Sequence, residues 1–191
     1  MAYSVRTIFA TILAAGMLMG STASSGAANP NARLPLKTVA HVDLKRYMGD
    51  WRVIANVPYF AENGCVDSIE GYRLRPGGRI DNFFTFRKGS FDAPQKRIHA
   101  VGHVYNTRTN AEWRILFFGI VNAKYFITDL DPHYRWAVVA HPSRKYGWVL
   151  ARGRSLPEST YRGILKRLES QGYEASQFKK VPQFRSQLAA H

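Results

Sequence analysis

Gly49-Asp50-Trp51 and Trp148-Val149-Leu150-Ala151-Arg152 are the two stretches that decide how this chain is read. The first opens a series of short strands. The second closes it about a hundred residues later, just ahead of the one clear helix. A tryptophan at the start of the first strand and an arginine at the end of the last predict a sheet closed on itself. The indole then plugs one end, and the guanidinium stacks across it. Such a sheet is a cup, and a cup implies a ligand.

Working outward, strands recur at regular intervals with turn signals between them. The sequence predicts strands at Trp51–Val57, Val66–Leu74, Arg79–Arg87, Lys96–Tyr105, Glu112–Phe118, Lys124–Leu130, Tyr134–His141 and Tyr146–Arg152. Pro76-Gly77-Gly78, Asp131-Pro132-His133 and Pro142 to Lys145 supply turns. Eight antiparallel strands in order suit an up-and-down barrel with room for one small ligand. Val42–Tyr47 reads as one helical turn before Gly49. After the last strand, Ser155-Leu156-Pro157-Glu158 reads as a capping box. Tyr161, Ile164, Leu165 and Leu168 make an apolar stripe at helical spacing, and Gly172 is the expected stop. Outward Ala137 and Val139 are the expected seat for that stripe. The fold class is therefore all-β: an eight-stranded antiparallel barrel with one C-terminal α-helix packed outside.

The N-terminus reads as a secretory signal. Arg6 is the positive residue, Thr7 to Gly20 is apolar, and Gly26-Ala27-Ala28 offers cleavage near Ala28. The apolar run is short for a membrane span, which needs about 20 residues. Residues 1–28 are thus expected to be removed, 29–41 to form an extended arm, 42–183 the barrel and helix, and 184–191 a flexible tail. The net charge is +14, and +13 without residues 1–28. That suggests attraction to anionic envelope lipid. The basic residues are scattered rather than blocked, so no nucleic-acid partner is expected. Cys65 is the only cysteine, so no intramolecular disulfide is possible; a buried or semi-exposed inert thiol is expected, with a mixed disulfide or an intermolecular bridge as the alternative.

These segments, taken in order, resemble the lipocalins, most closely the bacterial and apolipoprotein D-like group. Gly49-Asp50-Trp51 resembles the family's G-x-W motif. Phe60-Ala61-Glu62-Asn63-Gly64-Cys65 and Gly71-Tyr72-Arg73-Leu74 resemble its second segment. Leu116-Phe117-Phe118-Gly119, Leu130-Asp131-Pro132-His133-Tyr134, Ala137-Val138-Val139 and Tyr146 to Arg152 continue the match. Gly172-Tyr173 and Phe178-Lys179-Lys180-Val181 resemble its tail. Arg52 stands where the family usually has tyrosine, and His133 where many members have aspartate. No cysteine lies near the cleavage region, unlike the lipid-anchored bacterial members, so a soluble periplasmic or secreted protein is expected. In apolipoprotein D-like members the cysteine at the Cys65 position can be paired; this chain holds no partner for it.

The resemblance implies a carrier of a small hydrophobic ligand such as a fatty acid or lysophospholipid. Matching strands to the family's pattern gives the expected ligand-facing residues. They are Val53 and Ala55 from the first strand, Tyr72 from the second, and Ile80, Asn82 and Phe84 from the third. Ile115 and Phe117 come from the fifth, Ile127 from the sixth, Val138 from the seventh, and Tyr146 and Trp148 from the eighth. Gly49, Trp51 and Arg152 are the structural signature. Glu70 shares a face with Tyr72, so parity points it inward unless a β-bulge turns it out. A buried carboxylate there is costly unless paired, with Arg73 or Arg114 at a rim or with a cationic headgroup. The other reading is a cationic protein that binds membrane or envelope with the barrel as scaffold. No cofactor is expected. Catalysis is not expected either: no nucleophile elbow, CxxC, HExxH or phosphate loop is present. His99 and His103 share a strand face about 13 Å apart at ~3.3 Å per residue, too far to chelate one metal.

Overall fold

The computed structural model describes residues 35–117 and 121–190. The predicted signal segment and Phe118 lie outside them. A short helix α1 (Leu44–Tyr47) leads into β1 (Gly49–Asn56), β2 (Cys65–Leu74), β3 (Arg79–Lys88), β4 (Lys96–Val104), β5 (Glu112–Phe117), β6 (Val121–Leu130), β7 (Trp136–Ala140) and β8 (Gly147–Ala151). Helix α2 (Glu158–Ser170) and a two-residue β9 (Lys179–Lys180) follow. Neighbours pair antiparallel in chain order from β2 to β8. β1 pairs with both β8 and β2 and so closes the barrel.

Closure depends on β1 changing partners part-way. Gly49 to Arg52 pair with β2, and Arg52 to Asn56 pair with β8. A bulge between Val53 and Ala55 reverses the alternation. Trp51 and Val53 therefore face inward. Ala55 does not; it joins the outer cluster under the helix, which corrects its expected inward position.

α2 lies outside, with Tyr161, Ile164 and Leu168 packed over Ile54, Ala55, Val138, Ala140, Val149 and Ala151. Burying Ile164 and Leu168 contributes about 1.5–3 kcal/mol each. The helix seat corrects a second expectation. Val138 faces outward, while Ala137 and Val139 belong to the barrel interior. Ala137-Val138-Val139-Ala140 is apolar on both faces because both are covered, so alternation gave no parity. The capping box is also corrected. The N-cap is Pro157, with no side-chain cap hydrogen bond. At the other end Gly172 stops the helix as expected: its φ is +85°, and the Tyr173 N–H donates to Leu168 O at 3.1 Å.

The seam between β1 and β2 is sealed from elsewhere. Where their pairing ends, buried Gln183 donates from Nε2 to Val53 O (2.8 Å) and Ser68 O (3.2 Å). Val181 N–H donates to Ile54 O (2.9 Å). On the outer face, Asp67 gathers Arg52 (2.9 Å), Arg87 (3.6 Å) and Arg154 (3.7 Å). The tail expected to be flexible carries a 3₁₀ helix, Arg185–Ala190, and Arg185 pairs with Asp92.

Candidate ligand site

The two ends of the barrel differ. At the end where β1 begins, five aromatic side chains fill the interior: Tyr47, Trp51, Tyr72, Trp113 and Tyr125. Trp113 and Tyr125 stack at 5.0 Å. The Tyr125 hydroxyl hydrogen-bonds those of Tyr47 (3.0 Å) and Tyr72 (2.8 Å). The Trp51 indole N–H donates to Tyr47 O at 2.8 Å, and that of Trp113 to Asn110 O at 2.7 Å. Burial pushes the Tyr72 and Tyr125 phenols well above the ordinary range, so both stay neutral hydrogen-bonding groups.

Arg152 covers this plug from below. Its guanidinium lies 3.7 Å from the Trp51 ring centroid. Nη2 donates to the carbonyls of Arg46, Tyr47 and Met48, and Nη1 to that of Asp50. Gly49 completes the signature. Its φ is +99°, and a Cβ there would sit 3.2 Å from Arg152 Nη1.

Among the described residues, the opposite end is formed by the loops after β1, β3 and β7. Here inward side chains keep partial exposure. Ile98 and Trp148 are half-buried, and Phe84 and Phe86 stack at 4.9 Å. The partial exposure of Ile98 and Trp148 makes this half of the interior less tightly packed than the plug. The site therefore lies above the plug, not within it.

This sorts the expected ligand-facing residues. Val53, Ile80 and Ile127 are fully buried in the interior packing, as is Tyr72 in the plug. Ile115 lies in the interior, and Phe84, Asn82 and Trp148 lie on the upper wall. Tyr146 stands at the rim, edge-on to Tyr59 at 5.6 Å. Phe117 ends β5, and its side chain lies outside the described residues. Ala55 and Val138 are outside the barrel. Phe86 and Ile98 continue the inward alternation of β3 and β4, and the same alternation identifies them in the sequence.

Two carboxylates also occupy the interior. Glu70 lies directly across from Trp51 on one side and Phe84 on the other, so it points inward and no bulge turns it out. It is half-buried and accepts a hydrogen bond from Asn82 Nδ2 at 2.6 Å. Neither Arg73 nor Arg114 pairs with it: Arg73 binds Asp50, and Arg114 covers Tyr105. Burial, opposed by Asn82 and aided by the charge of Glu62, pushes the Glu70 carboxyl up to about 8.

Glu62 is the residue the sequence did not single out. It sits on the loop after β1, which turns back through the Asn63 N–H to Tyr59 O bond (2.9 Å). Its carboxylate accepts from Trp148 Nε1 (3.0 and 3.2 Å), from Asn56 Nδ2 and from the Tyr59 hydroxyl. Asn56 faces inward because of the β1 bulge. Burial raises the Glu62 pKa, and the three donors work against that rise.

Other chemistry is sparse. Burial pushes the Cys65 thiol up to about 11, which leaves little thiolate. His99 stacks on Phe83 (4.8 Å) and meets Asp81 (3.1 Å) on the outer face. Among the described residues, no group of three His, Cys, Asp or Glu side chains could hold a metal ion.

A closed barrel with an aromatic plug at one end and two carboxylates on its inner side defines a cup. The chain belongs to the lipocalin family: the family model described as a lipocalin-like domain matches residues 42–183. It is 30% identical over 160 residues to temperature-induced lipocalin-1 of Arabidopsis thaliana, covering 78% of this chain and 83% of that protein. It is 27% identical over 153 residues to outer membrane lipoprotein Blc of Escherichia coli (strain K12), covering 78% and 84%. Insecticyanin from Manduca sexta shares the fold, with a TM-score of 0.65 at 19% identity over 83% of this chain and 89% of that one.

Proposed function

We propose that this chain is an exported binding protein that carries a small hydrophobic ligand, such as a fatty acid or lysophospholipid, in the barrel. The supporting observation is the contrast between its ends: the aromatic layer around Trp51 is packed, while inward-facing Ile98 and Trp148 keep partial exposure. Burying an acyl chain there would contribute roughly 0.8 kcal/mol per methylene. The reading is binding rather than catalysis, since the one thiol is held protonated and the strand histidines face outward. Titration with a fluorescent fatty acid tests it, with saturable displacement by unlabelled lipid expected. Absence of saturable binding to any apolar probe overturns it.

The name of the E. coli relative supports a place in the cell envelope. The finer reading is cleavage near Ala28 to give a protein free of lipid. Mass spectrometry of the mature chain tests that, and a mass increment from attached acyl groups would refute it.

A specific observation favours a second, compatible reading, in which the outside of the barrel holds an anionic membrane surface. Arg79, His103, Arg114 and Lys124 are direct cross-strand neighbours along one outward row of β3 to β6. No carboxylate pairs with any of them among the described residues. Arg114 and Lys124 are like charges directly opposite each other, which destabilises a sheet, so an anionic partner would relieve them. Co-sedimentation with anionic vesicles should fall as salt rises, and reversing Arg79, Arg114 and Lys124 to glutamate should abolish it. Salt-independent binding would refute this reading.

A further inference from the structure

We propose that Glu62 and Glu70 form an ammonium-binding site inside the barrel, so that the preferred ligand is an amphiphile carrying a primary amine on an apolar chain. This rests on the carrier reading above and narrows its ligand class.

The argument begins with what surrounds the two carboxylates. Glu70 faces Trp51, Phe84, Asn82 and Tyr72; Glu62 faces Asn56, Tyr59 and Trp148. All are neutral. Glu62 is the titratable group whose charge acts on Glu70, and the charge of Glu70 in turn raises the phenols of Tyr47, Tyr59 and Tyr72. Two cations on the barrel wall, Lys88 and Lys96, stand at the open rim across from Cys65 and Phe86, and both are exposed. Their charges act on Cys65. Arg152 lies on the far side of the Trp51 ring. Two carboxylates thus share the interior with no protein cation between them, an arrangement that is costly unless a proton or a counter-charge neutralises one of them.

An independent observation points to the same place. Ser68 precedes Glu70 by two positions on β2 and shares its inner face. It is 1% exposed, and its hydroxyl oxygen has no hydrogen-bond partner among the described residues. A buried hydroxyl without a protein partner, two positions from a carboxylate with a single donor, leaves acceptors free for a ligand. A primary ammonium has three donors. Glu70, Glu62 and Ser68 supply acceptors, and the rings of Phe84 and Trp148 add an aromatic wall suited to a cation. The alkyl chain would then run along Phe86 and Ile98.

The protonation chemistry follows from the geometry. Free Glu70 is mostly protonated at neutral pH. Binding an ammonium requires the carboxylate, so one proton passes from Glu70 to solvent. Amine affinity should therefore rise about tenfold between pH 7 and pH 9, while affinity for a neutral alcohol stays flat.

The test compares decylamine, decanol and decanoate by calorimetry on the full mature chain at pH 7 and pH 9. The expected result is decylamine binding at least tenfold tighter than decanol at pH 9. Glu70→Gln should remove that margin and its pH dependence yet keep decanol binding, which also shows that the variant is folded. Glu62→Gln should narrow the margin. If decanol binds but decylamine is no tighter, or decanoate is tighter than both, the ammonium site is refuted and the carrier reading stands. If none of the three binds, the carrier reading fails and the site fails with it.

Discussion

The guanidinium of Arg152 lies 3.7 Å from the ring of Trp51, and together they form the floor of the barrel. The indole fills the interior from the start of β1, and the guanidinium ties down four carbonyls between Arg46 and Asp50. Trp51→Ala should cost about 3–5 kcal/mol. Arg152→Lys should cost about 1–3 kcal/mol, because one ammonium cannot reproduce a planar fork spread over those acceptors. Urea unfolding of each variant measures both, and a loss below ~1 kcal/mol for Trp51→Ala would refute the plug.

Gln183 should matter to stability although it lies far from the cavity. Gln183→Leu keeps the volume but strips the donors to Val53 O and Ser68 O, leaving both carbonyls unsatisfied in the seam. The expected cost is about 1–3 kcal/mol. Hydrogen exchange should show the loss concentrated at β1 and β2.

Glu70 sets a pH dependence of stability in the unliganded protein. Its folded pKa is raised from 4.5 to about 8, so the folded state holds a proton that the unfolded state releases. Its contribution is fully present below pH 4.5 and is lost as pH rises through about 8. Glu70→Gln should flatten this part of the profile and melt higher than the parent at pH 9, with little difference at pH 4. Parallel melting curves across the range would refute the buried carboxyl.

The Cys65 thiol should react slowly. With its pKa raised to about 11, alkylation by iodoacetamide at pH 8 should be far slower in the folded chain than in urea. Equal rates would place the thiol in solvent.

The sequence carried the architecture well. Strand order, the plug and the external helix follow from turn residues, from Trp51 and Arg152, and from the stripe at Tyr161, Ile164 and Leu168. Inward parity was legible where one face is wet, as in Ile80, Asn82 and Phe84. It failed on β1 and β7, where α2 covers the outer face and apolar residues line both sides. A bulge at Ala55 leaves no mark in an apolar run. Glu62 was illegible for a different reason: a loop residue has no period, and only the fold brings it to Trp148. The capping box failed because Pro157, not Ser155, occupies the N-cap.

The bridge from Gln183 to Val53 and Ser68 also ties the barrel to a distant stretch of the chain. The first strand lies early among the described residues, but the groups that seal its edge lie at residues 181 and 183. A truncation before Val181 would strip those donors from the seam while leaving β1 to β8 in place. Closure of the barrel thus depends on a segment that contributes none of its eight strands.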